Sequence, residues 1–196
     1  MRGRDRARKA ATCSAIRQGA CIHLLSCLLV NPKIALEGQH QENTMSAEAR
    51  VKELKLDLPP GIKPVGNYVA GVRSGNLLFM SGVGPRLNDG SAITGKLGEA
   101  LTVEQGYAAA RQVGLNMLVN IRQVLGSLDK VKRVVKVLGM VNSVPTFNDT
   151  PKVMNGFSDL FVEVFGEAGR GARSAVGMVT LPSQISVEVE MVLEVE

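Results

Sequence analysis

From Ser186 to Val195 every second residue is apolar without an exception. Val187, Val189, Met191, Leu193 and Val195 fall on one side, and Glu188, Glu190 and Glu194 on the other with Val192 among them. A period of two is a strand with one buried face, and a slip of one residue would turn all five apolar side chains to water. Such a strand requires a layer that covers its apolar side, so the rest of the chain must supply partner strands and something to pack across them.

Those parts can be read in order. Tyr68 to Val72 and Leu77 to Ser81 are short β-like runs separated by Arg73-Ser74-Gly75-Asn76, a hairpin pattern. A Gly-rich loop follows from Gly82 to Gly98. From Thr102 to Leu125 the apolar or small residues Val103, Tyr107, Ala110, Gly114, Leu118, Ile121 and Leu125 recur at spacings of three and four, the stripe of an amphipathic helix. Thr102 with Gln105 three residues on makes a capping box, and Gly126 stands where a left-handed C-cap is wanted. Val131 to Val141 reads as a long Val-rich strand. Thr150-Pro151 opens a second helix whose apolar side is Val153, Phe157, Leu160, Phe161, Val164 and Phe165, ended by Gly166. Ala172 to Val179 is a further strand, and Leu181-Pro182 turns the chain into the last one. The order β-β-α-β-α-β-β predicts an α+β domain: a mixed sheet with both amphipathic helices packed on one face.

The body spans residues 45–196, opening with a polar lead-in closed by Leu58-Pro59-Pro60-Gly61. Residues 1–44 are set apart as an N-terminal extension without helical or strand period. They hold seven Lys/Arg against three acids, all three cysteines (Cys13, Cys21, Cys27) and both histidines (His23, His40). The extension reads as an organelle transit peptide or as a mis-called start upstream of Met45, with a weak signal peptide third. This makes the expected compartment cytoplasmic, or mitochondrial if the transit reading holds. The apolar run Cys21 to Val30 is too short to span a bilayer, and no membrane partner is expected.

Without His or Cys, the body excludes a Ser-His-Asp triad, a thiol nucleophile and a Cys/His zinc site. No D-x-D-x-D-G loop suggests a carboxylate metal site, so no cofactor and no metal are expected. With 16 Lys/Arg against 15 Asp/Glu the body is nearly neutral, which argues against a dedicated nucleic-acid surface. Lys130, Lys132, Arg133 and Lys136 form a basic cluster without an aromatic platform and read as a solvated strand face. Gly90 to Lys96 spells G-x-x-x-x-G-K, but Leu97 stands where a phosphate loop needs Ser or Thr, and a flexible loop is the better reading.

One motif carries chemistry. In Gly169-Arg170-Gly171-Ala172-Arg173-Ser174-Ala175, a long cation projects from a strand of small residues, sharing its face with Ala175 and Gly177. In antiparallel pairing with the last strand, Arg173 would lie beside Glu188 or Glu190. That arrangement is either a cross-strand salt bridge or a fork for a substrate carboxylate, with a second carboxylate to handle protons.

The run G-A-R-S-A-V-G-M-V-T-L-P-S-Q-I-S-V-E-V resembles the C-terminal signature of the Rid family, the YjgF-type reactive-intermediate deaminases, which also carry an endoribonuclease label. Gly66-Asn67-Tyr68, Leu78-Phe79-Met80-Ser81-Gly82 and the helix from Thr102 resemble that family in order and spacing, so the resemblance covers nearly all of Gly61 to Glu196. It implies a chorismate-mutase-like fold, a homotrimer with clefts between subunits, and hydrolysis of 2-aminoacrylate-type enamines and imines to 2-keto acids and ammonia. On that resemblance Arg173 would bind the substrate carboxylate, Glu188 would orient or activate the attacking water, Tyr68 would close the cleft from a neighbouring subunit, and Ser81 and Ala175 would line it. The chain departs from the family pattern at Asn67, where Pro is usual, at Val83, where Gln is usual, and at Ala175, where Cys is frequent. Two alternatives stand beside deamination: a non-catalytic trimer that binds a small molecule or a protein, and an endoribonuclease or translation inhibitor.

Overall fold

The alternating C-terminal strand sits near the middle of a five-stranded sheet. In the computed structural model, which describes residues 45–61 and 66–196, the elements are α1 (Ala47–Glu53), β1 (Gly71–Ser74), β2 (Leu77–Val83), α2 (Val103–Leu125), β3 (Val131–Asn142), α3 (Thr150–Phe165), β4 (Ala172–Met178) and β5 (Val187–Val195). The extension at residues 1–44 lies outside the described residues. The sheet order is β1-β2-β5-β3-β4; β3 and β4 run parallel and the other neighbours antiparallel.

The capping box forms as the sequence requires. Thr102 Oγ1 accepts from the Gln105 amide, the Gln105 side chain answers the Thr102 amide at 2.9 Å, and Gly126 closes α2 at φ 82°. Among the described residues the core lies between the helices and one face of the sheet. It combines Leu78 and Met80 of β2, Val134, Val137 and Val141 of β3, and the five alternating residues of β5 with Val113, Met117, Leu118 and Ile121 of α2 and Val153, Phe157, Leu160 and Phe161 of α3. Two glycines let the layers close. A Cβ on Gly156 would lie 2.0 Å from the Tyr107 carbonyl oxygen, so α2 and α3 touch backbone to backbone, and the Met154 thioether rests on Gly139.

The structure departs from the sequence reading in three places. The polar lead-in holds a helix, α1, which buries Ala47 and Val51. Glu48 fastens it: its carboxylate accepts from Arg122 Nε at 2.9 Å, from Arg122 Nη2 at 2.6 Å and from the Leu128 amide at 3.0 Å. Next, β1 begins at Gly71, so Tyr68 precedes the strand instead of belonging to it. Finally, β4 does not pair with β5. The unit β3-α3-β4 is a crossover that lays β4 parallel to β3, and β3 thereby separates β4 from β5. No described helix is long and apolar enough to cross a membrane.

Candidate functional site

Arg173 stands opposite Val137 in the parallel register, and Val137 is buried toward the helices. Its side chain therefore leaves the edge strand on the helix side and reaches α3. Nη1 donates to Asn155 Oδ1 at 3.1 Å and to Ser158 Oγ at 2.9 Å, and Nη2 donates to the Pro151 carbonyl at 3.3 Å. A guanidinium has five N–H groups. Among the described residues, Nε–H and one Nη2–H are uncommitted, and no carboxylate pairs with the cation. The guanidinium flanks a recess of about 250 Å³ bounded by Asn155, Ser158, Asp159, Arg170 and Gly171.

The partners of Arg173 were missed in the sequence, although a signal was present. Asn155 and Ser158 are uncharged polar residues three apart on α3, and such a pair shares a face. Ala175 is partly buried against the core, and its carbonyl accepts from Thr150 Oγ1 at 3.1 Å. It shares the helix-side face of β4 with Arg173, whereas the sequence reading put both beside the Glu188 and Glu190 face, and it brings no polar side chain.

Glu188 lies elsewhere. It pairs with Met140 on β3 and points to the sheet face that carries no helices, where Glu190 also lies. The expected juxtaposition of Arg173 with Glu188 or Glu190 is thus absent within one chain. The residues sit on opposite faces, two strand spacings or about 10 Å apart across the sheet. Glu188 instead occupies the bulge of β2, where the register against β5 shifts between Met80 and Val83. Gly82 supplies the room: a Cβ there would lie 2.1 Å from Glu188 Oε1. The carboxylate is half-buried, and burial, followed by the neighbouring charge of Glu190, raises its proton affinity above the ordinary carboxylate value of 4.5.

Ser81, next to Gly82, donates its hydroxyl to the Val69 carbonyl at 2.7 Å, and its amide donates to the Ala70 carbonyl at 2.9 Å. This ties β2 to the segment carrying Tyr68, a residue 53% exposed. Ser81, Gly82 and Glu188 therefore form one group, with Tyr68 at its border, while Arg173, Asn155 and Ser158 form another.

The helix-free face is itself unusual for a surface. Val72 is 56% exposed and Phe79 46%, and the half-buried Leu138, Met140 and Val192 lie on the same face. Of the basic cluster, Lys132 and Arg133 are ion-paired, to Glu196 at 2.9 Å and Glu194 at 2.7 Å, while Lys136 bonds the neutral Ser174 Oγ at 2.7 Å and keeps its charge.

Comparisons with known proteins agree on this architecture. The family described as "YjgF/chorismate_mutase-like, putative endoribonuclease" matches residues 48–194. Protein TCP17 of Trypanosoma cruzi is 46% identical over 147 residues, covering 74% of this chain and 92% of its own. A 2-iminobutanoate/2-iminopropanoate deaminase of Dermatophagoides farinae is 28% identical over 142 residues, covering 72% and 95%. Among solved structures, a "putative endoribonuclease" of Shewanella oneidensis superposes with TM-score 0.74 at 33% identity, covering 77% of this chain and all of that one. With its mixed sheet and helical layer, the chain belongs to the YjgF/chorismate mutase-like family.

Proposed function

We propose that the chain hydrolyses small 2-imino acids and their enamine tautomers to 2-keto acids and ammonia, in clefts completed by a second copy of itself. The observation that carries this reading is the state of Arg173: α3 holds its guanidinium at three points and, among the described residues, two N–H groups stay uncommitted, as a carboxylate-binding fork requires. Imine hydrolysis makes modest demands. Water adds to the C=N carbon, a proton moves to nitrogen, and the carbinolamine expels ammonia as the C–N bond breaks and the carbonyl forms. One cation to hold the carboxylate and one proton-handling group are sufficient.

Glu188 is suited to the second part, since its raised proton affinity brings it closer to neutral pH. Because it stands apart from Arg173 within a chain, the proposal requires Glu188, Ser81 and Tyr68 of one copy to meet Arg173 of the next. The exposed apolar face around Val72 and Phe79 supports such an assembly, a trimer on the family resemblance. The name of the Dermatophagoides farinae relative supports the substrate class.

The decisive experiment generates 2-iminobutanoate in situ with an amino-acid oxidase and follows ammonia and keto acid. Wild type is expected to accelerate hydrolysis and Arg173→Ala to lose at least about a hundredfold in kcat/KM, or about 2.7 kcal/mol. Equal acceleration by both would overturn the assignment.

One observation favours a second reading, a non-catalytic assembly that holds a keto acid in the same cleft: Ala175 offers the site no polar side chain. Thermal stabilisation by 2-oxobutanoate without turnover of the imine would select it. RNA cleavage is disfavoured by the paired state of Lys132 and Arg133 and by the absence of His from residues 45–196.

A further inference from the structure

We propose a second ligand site, independent of Arg173, that takes a small monocarboxylate with an apolar body. It is a cavity of about 480 Å³ at the C-terminal ends of the parallel pair β3 and β4, within the size range of small-molecule pockets. Open sheets bind ligands beyond the carboxyl ends of parallel strands, where the chain diverges and leaves a crevice. Here Val144, Pro145, Phe147 and Met178 form apolar walls, and Lys96 and Ser143 supply the donors.

Both donors are poised for an anion. The Lys96 ammonium bonds Asn142 Oδ1 at 3.0 Å and the Val179 carbonyl, both neutral acceptors. Asn142 is fully buried, and its Nδ2 donates to the Ile185 carbonyl at 3.2 Å, which keeps Oδ1 turned toward the lysine. Among the described residues no carboxylate lies within ion-pairing distance of Lys96, so one N–H and a full positive charge remain for a ligand. Ser143 is 7% exposed, lines the same cavity, and its hydroxyl bonds no protein group among the described residues. Gly177 makes the space in front of it, since a Cβ there would lie 2.9 Å from Ser143 Oγ.

The loop spelling G-x-x-x-x-G-K thus delivers its lysine to a cavity without cradling a phosphate, and no helix begins at Leu97. Glu99 also lines the cavity, and its charge opposes a dianion. A single carboxylate with a short hydrocarbon or aromatic body matches one ammonium, one hydroxyl and four apolar walls.

The test titrates the full chain with hexanoate and, separately, with inorganic phosphate, following backbone amide resonances. Hexanoate is expected to shift residues 143–147 and 177–179 with a dissociation constant of about millimolar or tighter. Lys96→Met should weaken it at least about tenfold through loss of the charge-assisted bond. Because Lys96 also ties the loop, a second pair of variants keeps Lys96 and both its acceptors, Asn142 Oδ1 and the backbone carbonyl of residue 179. Val179 is 83% exposed at the cavity mouth, so Val179→Glu should weaken hexanoate and Val179→Lys strengthen it, each about threefold at low salt. Arg173→Ala should leave the affinity unchanged. Hexanoate shifts confined to residues 155–173, absence of shifts, an affinity indifferent to the sign of residue 179, or binding of phosphate in preference to hexanoate would each overturn the proposal.

Discussion

Arg173 and Glu188 lie on opposite faces of one sheet, with the whole of β3 between their strands. Two residues so placed cannot act on the same small molecule in a single chain. Any chemistry that needs both must recruit them from different copies.

Mixed assemblies test this. Chains carrying Arg173→Ala and chains carrying Glu188→Gln are expected to be inactive alone. Unfolded together and refolded, random mixing leaves about a quarter of the clefts with both native residues, and activity should recover to about that fraction. No recovery, with mixed oligomers shown to form, would place the functional carboxylate in the same chain as Arg173.

The tether on α3 gives a second expectation. Ser158→Ala and Asn155→Ala each remove a hydrogen bond to a charged group, worth about 1.5 kcal/mol at the low end. Each should raise KM about tenfold with kcat within about twofold, because the fork is loosened while the proton-handling group is untouched. Steady-state kinetics read the split, and a fall in kcat at constant KM would contradict a holding role.

The Glu188 carboxyl supplies a pH dependence. Burial, then the charge of Glu190, raises its folded proton affinity above 4.5. A raised folded value makes its contribution complete below the unfolded value and lost as pH climbs through the folded one. Glu188→Gln, uncharged at every pH, should therefore melt higher than wild type at about pH 8 and no higher at about pH 4. Thermal melts across that range check the sign, and a variant less stable at the higher pH would reverse it.

Gly156 offers a packing test. An added Cβ would meet the Tyr107 carbonyl oxygen at 2.0 Å and the Arg111 amide nitrogen at 3.1 Å, both backbone. Ala is favoured over Gly inside a helix by about 1 kcal/mol, but here α2 and α3 would have to separate. Gly156→Ala is expected to lose about 2 kcal/mol or more net, seen as a lower urea midpoint at unchanged slope.

The parts of the fold that announce themselves in the sequence are those whose causes are local. The capping box at Thr102 and Gln105, the stripe of α2 and the alternation of β5 each depend on neighbours within a few residues. Helix α1 was illegible because it has two buried apolar residues and is secured by Glu48 reaching Arg122, 74 positions away. The pairing of β4 was misjudged because strands joined by a short turn are ordinarily neighbours, whereas here the turn at 182–184 carries the chain past the end of β3. The composition of the two strands held the clue: β3 is a long Val-rich run suited to the interior of a sheet, and β4, with Ala, Ser and Gly, is an edge. Arg173 itself was legible as a lone cation among small residues. Its partners Asn155 and Ser158 were not, because only the crossover brings α3 above β4.

Every group that holds Arg173 comes from the continuous unit β3-α3-β4, within residues 131–178. Ser81, Gly82 and Glu188 lie outside it. If these residues act as proposed, the grip on the ligand and the handling of water are inherited on separate stretches of polypeptide. Exchanging the 131–178 segment between two relatives would transplant the grip whole, which allows a lineage to change its ligand without rebuilding the other half of the cleft.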